Sequence, residues 1–216
     1  MNLLPPRWKH LWLILLYPLM GVGFSAVEYL VPTVVNVMEW QPVDDWIPFV
    51  PVMVLPYVFW YATIVFTLGW TAWHDAGEFM RFVAFLYLGM ASAYVVYLIW
   101  PNGQNLRPPL ESLGGGWIND MIRWIYTHDT PTNCNPSIHV LDAVGVWIAL
   151  GRDRILGRKW WFQIPLALIS LAVIASTVMP KQHSVLDIFG GLAWAALWWF
   201  VAWSRWSPLF GRARKV

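Results

Sequence analysis

The chain has 216 residues and a net charge of +2; 58% of its residues are hydrophobic and only 12% charged. Soluble domains carry about 25% charged residues, so this composition, with a mean hydropathy of +0.51, argues for an integral membrane protein embedded in a lipid bilayer. The net charge is uninformative until it is distributed by side of the membrane; the expected partners are the bilayer and its lipids, with no nucleic acid. The single cysteine, Cys134, excludes an internal disulfide and any cysteine-rich metal site.

A helix needs about 20 apolar residues to cross the hydrocarbon core. The first apolar segment, 11–31, follows Arg7 and Lys9 as a secretory signal would. It is longer than a signal's apolar region, lacks an A-x-A-like site and ends in Glu28-Tyr29, so it reads as a retained span. The second, 46–70, contains Pro48, Pro51 and Pro56, which predict a kinked or irregular outer part. The third covers 79–99. A long loop follows, from Trp100 to Pro136, broken by Gly114-Gly115-Gly116. Beyond the glycines Trp117, Ile118, Met121, Ile122, Trp124 and Ile125 recur at helical spacing, with Asn119, Asp120 and Arg123 on the other face. That pattern predicts a short amphipathic helix in the headgroup region, either a lid or a helix that merely covers the bundle.

The fourth segment, 138–150, is short: its residues rise about 20 Å as a helix. Either it continues through Arg152, or its outer end starts below the surface and recesses Ser137 and His139. The fifth and sixth cover 160–179 and 185–203. With no linker or repeat, the expected architecture is all-α: a single domain over 1–216, an integral membrane bundle of six transmembrane helices. A cytoplasmic N-terminus puts Arg7, Lys9, Arg81, Arg152, Arg154, Arg158, Lys159, Arg205, Arg212, Arg214 and Lys215 inside, 11 of the 14 basic residues. Only Arg107, Arg123 and Lys181 lie outside. This bias predicts a multi-pass protein of the cytoplasmic membrane with both termini in the cytoplasm.

The polar residues of interest then fall on the outer, extracytoplasmic face. His183 and Asp187, four residues apart, share one helix face, so the carboxylate can orient the imidazole and leave its other nitrogen basic. Pro136 and Ser137 mark a helix start, where free N–H groups and the helix dipole favour anions. His139, one turn further, is placed to exchange a proton with a leaving oxygen. Arg107 offers a fork matched to phosphate oxygens. Each has a plainer role when taken alone: a polar pair at a helix end, a core histidine, an interfacial arginine. Asp142 either tunes His139 or pairs elsewhere in the bundle, and Glu28 makes a packing or interhelical contact. Three distant segments converging at one membrane level point instead to a site, since ionisable groups at membrane depth are expensive and usually functional.

Arg107-Pro108, the run Pro136-Ser137-Ile138-His139, and Ser176 followed by His183 and Asp187 together resemble the three motifs of the type-2 phosphatidic acid phosphatase superfamily. The resemblance spans about 100–191, and the six-span layout extends it to the whole chain. It departs from the pattern at Trp100, where the family has Lys, at Ile138, where it has Gly, and at Thr177, where it has Arg. Two cationic phosphate ligands are thereby missing, and Lys181 is the residue placed to restore one. The stretches 129–139 and 176–183 are similar to the branch containing inositol phosphorylceramide synthases. The resemblance implies that His183 is the nucleophile, Asp187 its orienting partner and His139 the general acid and base, with phosphate held by Arg107, Ser137 and Lys181 and with no metal or cofactor. It implies a lipid-phosphate phosphatase acting on a monoester or pyrophosphate, or a phosphotransferase moving a headgroup to an alcohol. A transporter or scaffold with a degenerate site is the non-catalytic alternative.

Overall fold

The computed structural model describes residues 6–33, 35–204, 207 and 209–210, with side chains from His10 onward. Of the basic residues in the charge count, the side chains of Arg7 and Lys9, and Arg205, Arg212, Arg214 and Lys215, lie outside the described part. Eight α-helices form among the described residues: α1 (Leu16–Leu30), α2 (Val43–Trp46), α3 (Val54–His74), α4 (Ala76–Ile99), α5 (Trp117–His128), α6 (Ile138–Arg152), α7 (Trp160–Val178) and α8 (Val185–Trp203). The only strands among these residues are β1 (Asn36–Val37) and β2 (Asn102–Gly103), which pair in parallel with Asn36 opposite Asn102.

Five helical stretches are long and apolar enough to cross a membrane: His10–Leu30, Pro51–His74, Ala76–Ile99, Trp160–Val178 and Val185–Trp203. They point to a multi-pass membrane protein. The expected first span begins as a 3-10 helix, Pro6–Leu15, before α1. The second does not start at Trp46. Pro48 and Pro51 cannot donate to a helical ladder, so the chain leaves α2, makes a 3-10 turn over Pro51–Met53 and enters α3 at Val54. The fourth expected span is α6, which does run to Arg152 yet has only 15 residues, about 22 Å at 1.5 Å per residue.

Short α6 is the centre of the bundle, packed against α3, α4, α7 and α8. Leu141, Val146, Ala149 and Leu150 are buried there, in a core shared with Phe82, Phe85 and Leu86 of α4. The N-terminal part of α6, from Ile138 to Ala143, is buried throughout, which makes His139 and Asp142 conspicuous. The amphipathic helix α5 lays Ile122 and Ile125 on Val54 and Tyr57 at the start of α3, while Asp120 and Arg123 pair on its outer face at 2.8 Å.

Helix ends are set by local caps. Asp75 Oδ1 accepts from Gly77 N and Glu78 N and starts α4. Ser137 Oγ accepts from Val140 N at the start of α6. Ser184 and Asp187 form a reciprocal capping box that starts α8. The beginnings of α3, α6 and α8 and the ends of α4 and α7 meet at one end of the bundle. There Tyr97 donates to Pro136 O (2.6 Å), Val50 N to Met179 O (3.1 Å) and Asn135 Nδ2 to Leu186 O (3.1 Å). Arg152 and Arg154 lie at the opposite end, paired with Glu78 (3.6 Å) and Asp75 (3.3 Å).

Candidate functional site

Asp187 sits in the first turn of α8 and His183 directly before the cap residue Ser184, an arrangement that the capping box fixes. Asp187 Oδ2 accepts from Ser184 N at 3.0 Å and lies 3.2 Å from His183 Nδ1. One carboxylate oxygen thus caps the helix and orients the imidazole, leaving His183 Nε2 directed elsewhere. Both residues are buried. The ring of His139, on the first turn of α6, stands edge-on to His183 with centroids 5.6 Å apart. Tyr57 and Trp60 of α3 flank His139 at 4.4 and 4.2 Å and fix its plane.

Close approach of α6 and α8 brings the two histidines together. A Cβ on Gly191 would lie 2.7 Å from Val140 Cβ and 2.8 Å from Ser137 O, so only glycine permits this spacing. Asn102 holds the loop before α6. Its Oδ1 accepts from Cys134 N (3.1 Å) and Asn135 N (2.8 Å), and its Nδ2 donates to Asn135 O (2.8 Å).

Arg107 enters from the loop after β2. It donates to Tyr126 O (3.3 Å) and to Gln182 Oε1, and its guanidinium lies over the Tyr126 ring at 4.6 Å. With Gln182, His139 and His183 it lines a small cavity of about 20 Å3. Three buried nitrogens of these residues, Arg107 Nε, Gln182 Nε2 and His139 Nδ1, have no hydrogen-bond partner among the described residues. Buried polar atoms are rarely left unpaired. Arg107 Nε and Gln182 Nε2 are N–H donors, and His139 Nδ1 is one in the appropriate tautomer, so the group is receptive to anion oxygens. A cavity of that size holds about one water. An anion larger than water would reach these donors only at the junction with the adjoining cavity of about 540 Å3, which shares Phe24, Tyr57, Asp129, Ile138 and His139 with the small one.

The remaining expected ligands are placed differently. Ser137 is fully buried as the α6 cap and lines neither cavity. Lys181, at φ +55°, turns its ammonium to Asp44 O (2.6 Å) and Ile47 O (2.7 Å). It satisfies the carbonyls around α2 instead of joining Arg107, because its left-handed backbone directs the side chain away from His183. Ser176 Oγ and Thr177 Oγ1 both donate to carbonyls one turn back, at 2.6 and 2.8 Å. Asp142 neither pairs elsewhere nor reaches a donor: it is fully buried and both its oxygens lack a partner among the described residues. Glu28 does make the expected contact, accepting from Thr130 N (2.8 Å) and Thr130 Oγ1 (2.7 Å).

Asp129, at the mouth of both cavities, accepts from Tyr57 Oη at 2.9 Å. Burial raises its carboxyl above the usual range, against the opposing pull of Arg107 and the Tyr57 hydrogen bond. Burial likewise pushes the Cys134 thiol well up, helped by the charges of Asp187 and Asp129. A protonated thiol is a poor nucleophile, which leaves His183 as the nucleophilic group best presented to the cavity. No metal-ligand pattern is legible in the sequence, yet the fold brings Cys134, His183 and Asp187 ligand atoms within 4.8 Å of one another. That group is already hydrogen-bonded internally, through His183 to Asp187 and through Cys134 Sγ to Thr132 O (3.6 Å) and Gln182 O (3.8 Å).

Gln182 and Asp44 are the residues that sequence reasoning missed. Asp44 is buried in the turn before α3, 140 residues from its partner Ser184. Gln182 carries the amide that completes the donor group; its only signal is its place between Lys181 and His183. Comparison with known families, curated proteins and solved structures finds no match. The resemblance to the phosphatase superfamily accordingly rests on the three sequence motifs.

Proposed function

We propose that the protein is an integral membrane enzyme that cleaves a lipid phosphate ester through a phosphohistidine at His183. The observation that carries the reading is the joint presence of an oriented His183–Asp187 pair, a second histidine facing it, and, on residues lining one cavity, three buried nitrogens with no partner among the described residues. An imidazole held by a carboxylate is the arrangement of an activated nucleophile. In the first step His183 Nε2 attacks phosphorus while the ester P–O bond breaks, and His139 gives its proton to the departing alkoxide. Asp187 stabilises the cationic imidazole. In the second step His139 takes a proton from water, whose oxygen displaces His183 from phosphorus and restores the free enzyme. Arg107 and Gln182 hold the equatorial oxygens, where phosphoryl transfer gains most of its acceleration.

On this reading α6 counts as a sixth, short span whose outer end is recessed, and the site end of the bundle faces away from the cytoplasm. The charge distribution supports that orientation. An alcohol in place of water would make the protein a phosphotransferase by the same two steps, and the similarity of 129–139 and 176–183 to the inositol phosphorylceramide synthase branch favours keeping that acceptor in the test. Purified protein and its His183→Ala variant are assayed on a panel of lipid phosphates, with and without acceptor alcohols. Free phosphate formed by wild type alone supports a phosphatase; an ester formed only with acceptor supports a transferase. Equal turnover by the variant, or none by wild type on any substrate, removes the reading.

A further inference from the structure

The chemistry above uses the small cavity and the junction and leaves most of the large cavity without an occupant. Exposed Pro18, Gly21 and Ser25 on α1 and exposed Val58 and Tyr61 on α3 form its open sides. Inside, Tyr17, Trp60, Tyr61 and Tyr94 supply aromatic walls, and Glu28 and Asp129 supply carboxylates. No lysine or arginine lines it. Asp142 of α6 is fully buried with both oxygens unpartnered among the described residues and does not line the cavity.

A cavity of ring faces and acids, with no lysine or arginine and with His128 and His139 as its lining imidazoles, attracts an organic cation: the ring quadrupoles and the carboxylates act in the same direction. A plain hydrocarbon chain fits the walls less well, because it would desolvate Glu28 and Asp129 with only their bonds from Thr130 and Tyr57 to compensate. The junction with the donor cluster sets the rest of the ligand, since a cation in the large cavity lies beside an anion at Arg107 and Gln182.

We propose that the large cavity holds the cationic end of a zwitterionic lipid phosphate, an ammonium group joined by a short carbon linker to the phosphate at the junction. This rests on the phosphate reading and narrows it to one substrate class. Two lipid types carry that chemistry: a phosphodiester of an amino alcohol, and a phosphomonoester of a lipid bearing an amine beside its phosphate.

The test is equilibrium binding to the detergent-solubilised full chain, with two matched pairs of probes. The diester pair is dodecylphosphocholine and its 3,3-dimethylbutyl isostere, which has carbon in place of nitrogen. The monoester pair is 2-aminododecyl phosphate and dodecyl phosphate. The cationic member of at least one pair is expected to bind about tenfold tighter, in line with a partly desolvated cation–π and carboxylate contact, and the pair that responds identifies the lipid type. Glu28→Gln, which keeps an acceptor for Thr130, is expected to remove most of that preference while leaving the uncharged isostere's affinity unchanged. Equal affinities within both pairs, or a preference untouched by Glu28→Gln, would overturn the proposal. Turnover is scored separately: a cation preference without His183-dependent turnover removes the phosphohistidine chemistry and keeps the binding site, and turnover without the preference does the reverse.

Discussion

Asp44 offers a quantitative check on how the nucleophile is held. Its carboxylate accepts from Trp40 N (2.6 Å), Ser184 Oγ (2.7 Å) and Val185 N (2.8 Å), and it is 2% exposed. It therefore anchors the start of α8, where His183 and Asp187 stand, to the turn that precedes α3. Asp44→Ala strips the acceptor from three donors at once. Hydrogen bonds to a charged group are worth about 1.5–3 kcal/mol each, but Trp40 is exposed and its N–H can hydrate, so the net loss is about 3 kcal/mol. For a chain of this size that corresponds to a fall in Tm of roughly 6–12 °C. Loosening α8 also displaces His183, and a misplacement of about 1 Å costs up to about 100-fold in rate. Thermal unfolding in detergent and turnover of the active lipid phosphate are measured on the same preparation, with Asp44→Asn as the shape-preserving control expected to fall in between. An Asp44→Ala protein with wild-type Tm and wild-type turnover would refute the anchoring argument.

Other predictions separate residues that look alike in sequence. Arg107→Ala is expected to weaken vanadate inhibition at least tenfold, since a charge-assisted contact is lost; Lys181→Ala is expected to lower Tm through Asp44 O and Ile47 O while leaving the vanadate inhibition constant unchanged. Gly191→Ala drives a methyl group into Val140 and Ser137 O, and the overpacking is expected to destabilise by about 1–3 kcal/mol and to reduce turnover by parting the two histidines, read by unfolding and rate together. Because the folded-state carboxyl of Asp129 is raised, its contribution is fully present below its ordinary value near pH 4 and is lost as pH rises through the raised value. Asp129→Asn, which still accepts from Tyr57, is therefore expected to gain stability relative to wild type as pH rises from 4 to 7; a constant difference across that range would contradict it.

The long apolar helices were legible because hydropathy and length alone mark them, and α4, α7 and α8 begin and end within three residues of expectation. Prolines made the irregular entry to α3 legible, although not its start at Val54. The amphipathic α5 followed from its spacing. The motif residues were legible as types: Arg107, His139 and His183 line one cavity, and Asp187 stands behind His183. Lys181 was not readable: being two residues from His183 suggests proximity to the phosphate, but the direction of its side chain depends on a left-handed backbone angle. Asp44, Asn102 and Gln182 act through partners 140, 33 and 75 residues away, and no periodicity announces a contact of that kind. The two-residue strands β1 and β2 are too short to carry an alternating pattern.

The central claim is that phosphorus is bonded covalently to His183 during turnover. Protein mixed with an active lipid phosphate is quenched in base, under which phosphohistidine survives, and digested for peptide mass spectrometry. The account predicts phosphorylation on His183, absent in His183→Ala and slowed in both formation and hydrolysis when His139 is replaced by Gln, since the first step then lacks its acid and the second its base. Phosphate mapped to another residue, or full turnover by His183→Ala, would contradict it.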